Sequence, residues 1–240
     1  MKRIFVLAAT ALAASACHLG ASAQDRDPGA TANRNYQVGA FDKIEVAGPY
    51  DVTVATGRQA VVSARGGERL LDETEVFVEG GTLKIRAKKH TGMNVSWGHR
   101  GKAEFTVSTR MLRGAQIAGS GELAVDKING DFNGSVAGSG DLRLASVNGG
   151  ASEFSIAGSG SITAAGRSQS AKMEVAGSGD INAGALATSH ADVSIAGSGN
   201  VRANASGTAT VAILGSGDVE VTGGAKCSVS KHGSGNVTCG

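Results

Sequence analysis

Along the second half of the chain, apolar and polar residues alternate at every step. Ser155-Ile156-Ala157-Gly158-Ser159-Gly160-Ser161-Ile162 and Val193-Ser194-Ile195-Ala196-Gly197-Ser198-Gly199-Asn200-Val201 both show it. A period of two is that of β-strands, not of helices. The strands share one interruption: Gly-Ser-Gly begins at Gly119, Gly138, Gly158, Gly177, Gly197, Gly215 and Gly233, at spacings of 19, 20, 19, 20, 18 and 18 residues.

Aligned on that tripeptide, the chain falls into columns. Two residues after the last glycine stand Leu123, Leu142, Ile162, Ile181, Val201, Val219 and Val237. Two residues before the first stand Ile117, Val136, Ile156, Val175, Ile195 and Ile213, with Lys231 in the last copy. Farther out lie Val125, Leu144, Ala164, Ala183, Ala203, Val221 and Cys239 on one side, and Phe154, Met173, Val193, Val211 and Val229 on the other. These columns are the predicted core.

A unit of this length is too short for a β-α-β crossover, which takes about 30 residues. It fits one coil of an all-β solenoid, and seven coils stacked at about 4.8 Å make a rod about 30 Å long. The crossover rule favours a right-handed parallel β-helix. Gly-Ser-Gly would turn one corner where a Cβ is excluded, and Gly130, Gly149, Gly166, Gly184, Gly207 and Gly223 would turn an opposite one. The solenoid is assigned to 111–240. A less regular β section, 38–110, precedes it and is expected to pack on, cap or continue the solenoid, with strand patterns around Ile44, Val52, Val62, Val76, Leu83 and Phe105 and a hairpin signal at Gly80-Gly81. The polar stretch 24–37 reads as a disordered linker. Exposed solenoid ends invite edge pairing, and Lys231, together with a bridge between Cys227 and Cys239, would blunt and lock the last coil.

Composition changes this picture only in part. The chain carries 37 glycines in 240 residues with two prolines and no Gly-X-Y period, which excludes collagen; 41% hydrophobic and 18% charged residues exclude a mainly disordered chain. Residues 1–23 read as a signal peptide: basic Lys2 and Arg3, an apolar run from Ile4 to Ala16, and Ala21-Ser22-Ala23 before the cut. Ala14-Ser15-Ala16-Cys17 offers the alternative of a lipoprotein signal with lipidation at Cys17. Either route exports the protein, to the periplasm or beyond. Removing Lys2 and Arg3 from 23 basic residues leaves 21 against 21 acidic ones, a net charge of zero, so nothing supports nucleic-acid binding. Cleavage leaves Cys227 and Cys239, an even count in an oxidising compartment that permits a disulfide.

Catalytic signatures are missing: no G-x-G-x-x-G, G-x-S-x-G, C-x-x-C or H-E-x-x-H occurs. No cofactor is expected. After each Gly-Ser-Gly a polar column holds Glu122, Asp141, Ser161, Asp180, Asn200, Asp218 and Asn236. Asp141, Asp180 and Asp218 are candidate calcium ligands by analogy with calcium-loaded rolls; the alternative is that these are turn residues bonding nearby backbone. Trp97, the only tryptophan, lies beside His99 and Arg100 and is a candidate ligand-binding group, or else the cover of one end of the core.

Phe41-x-x-Ile44-x-Val46-x-Gly48, then Val52-x-Val54-x-x-Gly57, then the series of Ala-Gly-Ser-Gly-Asp-aliphatic units resemble the bacterial head GIN domain family, exported proteins regarded as auto-transporter adhesins. The resemblance covers about 38–240. It implies a right-handed β-helix in one or two packed sections and brings no established enzymatic activity. The expected function is that of a non-catalytic envelope protein whose solenoid face binds a protein or a glycan. The alternatives are a carbohydrate-active β-helix enzyme or a self-assembling structural protein, a homo-oligomer.

Overall fold

The computed structural model describes residues 29–88 and 102–240. The expected signal segment, Cys17, Trp97, His99 and Arg100 lie outside the described residues.

The N-terminal part contains β1 (Thr31–Tyr36), β2 (Lys43–Ala47), β3 (Tyr50–Thr56), β4 (Val61–Gly67), α1 (Glu68–Asp72), β5 (Thr74–Glu79), β6 (Thr82–Ala87) and β7 (Ala103–Thr109). The regular coils follow in β8 (Gly114–Gly119), β9 (Glu122–Val125), β10 (Ile128–Asn129), β11 (Phe132–Gly138), β12 (Asp141–Asn148), β13 (Ala151–Gly158), β14 (Ser161–Arg167) and β15 (Ser170–Gly177). They continue in β16 (Asp180–Gly197), β17 (Asn200–Gly215), β18 (Val219–Thr222), β19 (Lys226–His232) and β20 (Val237–Cys239).

Every strand from β8 onward pairs in parallel with its equivalent one coil away, so the molecule is a β-solenoid. Its first wall stacks β6, β2, β8, β11, β13, β15, the ends of β16 and β17, and β19. The second stacks β7, β3, β9, the beginnings of β12, β14, β16 and β17, then β18 and β20. The column Ile117, Val136, Ile156, Val175, Ile195, Ile213 is in register and buried. So is Leu123, Leu142, Ile162, Ile181, Val201, Val219. Ile128, Val147, Leu186 and Ala205 fill the third side. Each large aliphatic side chain in this core contributes about 1.5–3 kcal/mol by leaving water.

The two glycines of each corner act differently. The first has φ between 121° and 139° in all seven copies, a region closed to most L-residues. The second turns its α-carbon inward against the coil before it: a Cβ on Gly160 would lie 2.3 Å from the Gly140 carbonyl oxygen, and one on Gly199 2.1 Å from that of Gly179.

The N-terminal part continues and caps the solenoid in two distinct pieces. Residues 41–56 continue it as a regular coil: β2 and β3 lie in register on β8 and β9, and Gly48 has φ 137° like the other corner glycines. Its corner reads Ala47-Gly48-Pro49-Tyr50, so the tripeptide signal is lost. Tyr50 takes the place of the second glycine because its neighbour on that side is a cap; its ring is buried, edge-on to Phe105 at 5.5 Å, and its hydroxyl lies 3.1 Å from Thr74 Oγ1.

The cap is the excursion from β4 to β7. β6 and β7 continue the two walls by one more coil, β5 folds back on β6 through Gly80-Gly81, β4 runs antiparallel to β7, and α1 buries Leu70 and Leu71. The expected linker is corrected, because from Thr31 to Tyr36 it is β1, antiparallel to β4. An edge strand needs only backbone partners and one packed face, here Ala32 and Tyr36 with the Tyr36 ring 6.3 Å from Phe105. Its polar residues occupy the other face.

Candidate binding wall

On the first wall the outward residue five positions before each corner glycine forms a ladder: Asn133, Glu153, Lys172, Asp192 and Thr210 are in register. A second ladder, two residues earlier, holds Asp131, Ala151, Ser170, His190 and Thr208; the last four are in register. Ala171 and Ala191 lie buried between the two. Small residues at the middle rungs leave an open groove of about 630 Å³ running across the coils, with Arg113 at one end. Parallel pairing spaces the rungs at about 4.8 Å.

The groove side chains are already held. Lys172 Nζ lies 2.7 Å from Glu174 Oε1 and 3.6 Å from Glu153 Oε1, and Asn133 Nδ2 donates to Glu153 Oε2 at 3.0 Å. His190 Nδ1 and Thr208 Oγ1 are 2.9 Å apart, while Asp131 Oδ1 accepts from the Ala151 amide at 2.8 Å. The hydrogen bond it donates to Glu174, then the charge of that carboxylate, raises the Lys172 ammonium above the ordinary lysine range, which keeps it protonated. A nucleophile or base needs the opposite shift.

Of the residues singled out from sequence, Trp97, His99 and Arg100 lie outside the described residues, in the stretch of sequence between β6 and β7. Asp141, Asp180 and Asp218 sit on alternate coils at the corner of the second wall, separated by Ser161 and Asn200. There Asp180 Oδ1 accepts from the Asn200 amide at 3.0 Å and Asp218 Oδ1 from the Asn236 amide at 2.8 Å. Asp141 takes the Ser161 hydroxyl. Among the described residues no group of three or more His, Cys, Asp or Glu side chains is arranged to share a metal ion. Cys227 and Cys239 are joined by a disulfide that links β19 to β20 across the last coil. The groove ladder does not show in the apolar phase of the alternation, which marks the core; the polar phase aligned on the corner glycines brings it out.

Stacked parallel coils, filled aliphatic columns and a polar side wall define a β-solenoid of the binding type. The chain belongs to the family described as "Putative auto-transporter adhesin, head GIN domain", which it matches over residues 40–225. Solved structures with the same fold include a putative lipid binding protein from Parabacteroides distasonis, 27% identical with a TM-score of 0.73, covering 89% of this chain and 98% of that one. A putative adhesin from Bacteroides fragilis is 21% identical, TM-score 0.75, covering 89% and 99%. One from Parabacteroides merdae is 16% identical, TM-score 0.66, covering 87% and 95%. No curated protein matches the chain.

Proposed function

We propose that this protein is an exported, non-catalytic binding rod of the cell envelope, and that an extended glycan lies along the first-wall groove. The observation that carries this reading is the in-register ladder Asn133, Glu153, Lys172, Asp192, Thr210. It offers donors and acceptors at a fixed coil-by-coil repeat, which suits a polymer of hydroxylated rings, and the small outward residues Ala151 and Ser170 keep the groove open to a ring. The ladder stands on a continuous sheet, so its geometry is set before the ligand arrives and little ordering is required on binding. A carbohydrate-active enzyme is less well supported: the groove carboxylates Asp131 and Glu153 are partnered, and Lys172 is held as a cation.

Export rests on the signal-type residues 1–23, with cleavage after Ala23 or lipidation at Cys17; among the described residues no helix is long and apolar enough to cross a membrane. The relative described as lipid binding raises a second ligand class. Here the interior columns are filled, so a lipid would meet the outer wall by its headgroup.

The test is retention of purified protein on isolated envelope polysaccharide, compared with Lys172→Glu and Asp192→Lys variants. Retention by the native protein, and its loss at least about tenfold in both variants, supports the reading. Equal retention by all three, or turnover of the polysaccharide, overturns it.

A further inference from the structure

The first wall ends in two unpaired edges of opposite charge. Among the described residues, it stops at one end at β5, bonded only to β6, and at the other at β19, bonded only to β17. Each leaves a row of amides and carbonyls open to another strand. β5 reads Thr-Glu-Val-Phe-Val-Glu, with two carboxylates and no cation. β19 reads Lys-Cys-Ser-Val-Ser-Lys-His, with no carboxylate. The whole last coil, 222–240, contains Lys226, Lys231 and His232 and no acidic residue. The core is also unfinished there: Val229 is 48% exposed, whereas Val211 and Val193, one and two coils before it, are fully buried.

We propose that copies of this chain associate head to tail, with β19 of one copy adding antiparallel to β5 of the next. Strand direction favours this arrangement. β6 runs parallel to β2 and through the wall to β19, while β5 runs antiparallel to β6. A β19 strand laid antiparallel on β5 therefore runs in the same sense as β6, and the added copy keeps the direction of the solenoid axis.

One register satisfies both faces. With Val229 opposite Val76, Cys227 falls opposite Val78 and Lys231 opposite Thr74, all on the inner face, so the apolar column continues between copies at the first two pairs and ends in a polar pair at the third. On the outer face Lys226 falls opposite Glu79, whose side chain is 69% exposed beside Lys84. Pairing two β19 edges with each other is disfavoured, because it gathers Lys226, Lys231 and His232 of both copies into one seam. Lys231 stands in an otherwise aliphatic inward column, its Nζ donating to the Gly235 carbonyl at 2.8 Å. An inward charge of this kind blocks apolar end-to-end contact, and here it gives the association a polarity. The interface is heterologous, so it does not close on itself. One strand pair is small, so it is weak and reversible.

Analytical ultracentrifugation of the purified protein over a concentration series tests this. The expected result is a mass that rises past the dimer with concentration and falls back at about 1 M salt, where the screening length is near 3 Å. Lys226→Glu and Glu79→Lys each weaken association about tenfold, and the double variant with the charges exchanged recovers it. Both sites are on exposed strand faces, and unchanged circular dichroism verifies the fold. A monomer up to about 1 mM, a species that stops at the dimer, single variants that associate like the native protein, or a double variant that fails to recover would each overturn the proposal.

Discussion

The backbone amide and the side-chain amide of Asn200 both donate to one oxygen, Asp180 Oδ1 on the preceding coil, at 3.0 and 2.9 Å. The relay continues in the same direction: the Asp218 amide donates to Asn200 Oδ1 at 3.2 Å and the Asn236 amide to Asp218 Oδ1 at 2.8 Å. At this corner, where the strand ladder resumes, a side chain from one coil satisfies the backbone of the next. The acidic and amide residues are structural connectors between coils.

Replacing Asp180 by Ala removes the acceptor for two donors and costs about 1–2 kcal/mol, whereas Asp180→Asn keeps an acceptor and costs under about 0.5 kcal/mol. Denaturant unfolding of the two variants measures the difference. If the column is a connector, millimolar calcium leaves the unfolding midpoint where a chelator leaves it; a calcium-dependent rise restores the metal reading.

Gly160→Ala forces a Cβ to within 2.3 Å of the Gly140 carbonyl oxygen and 2.6 Å of Val136 Cγ1, so it meets main chain and a core side chain at once. The expected loss is about 3 kcal/mol, the upper end of overpacking. Gly184→Ala, where the nearest atom is 3.7 Å away, is neutral or stabilises by about 0.4–1 kcal/mol through the unfolded chain. Thermal unfolding of the pair separates glycine needed for close approach from glycine that is only tolerated.

Replacing Cys227 and Cys239 by Ser opens a short ring closed over a sequence separation of 12 residues, a constraint of about 3 kcal/mol in chain entropy. The last coil touches only one neighbour, so the effect is local: amide exchange accelerates in β19 and β20 and stays unchanged in β11 to β15. Equal acceleration throughout would show instead that the rod unfolds as one unit from this end.

Burial raises the Tyr50 phenol above the ordinary tyrosine value of 10.0, partly offset by the Thr74 hydrogen bond, and burial raises Tyr36 in the same direction. A folded-state pKa above the unfolded one means stability is complete below the unfolded pKa. It is lost as the pH climbs through 10.0 toward the folded value. Unfolding free energy measured from pH 8 upward should decline on that limb, and Tyr50→Phe should flatten the decline while lowering stability at neutral pH.

The solenoid was readable because each coil repeats the same two tasks at the same spacing: an aliphatic pair faces inward, and a glycine pair turns the corner. The coil at 41–56 was hidden by one residue. Tyr50 replaces the second glycine, and the coil's sequence neighbour in the stack, β8, arrives only after the whole excursion that builds the cap. β1 was hidden for a different reason: an edge strand recruited by backbone pairing needs no apolar alternation, and Thr-Ala-Asn-Arg-Asn-Tyr has the composition of a linker. The groove could be read only in part. Its rungs are ordinary polar residues that acquire meaning from register, and register follows from the corner alignment. The opposite charges of β5 and β19 are plain in the sequence, but that both strands end the same wall is a matter of topology.

The corner glycines have a consequence for how this molecule can change over time. Along that seam the pitch of the stack is set by main chain resting on main chain, with no side chain between. Substitutions elsewhere can alter which surface the walls display without altering the distance between coils. The seam thus acts as a fixed spine, and the walls are free to diverge around it.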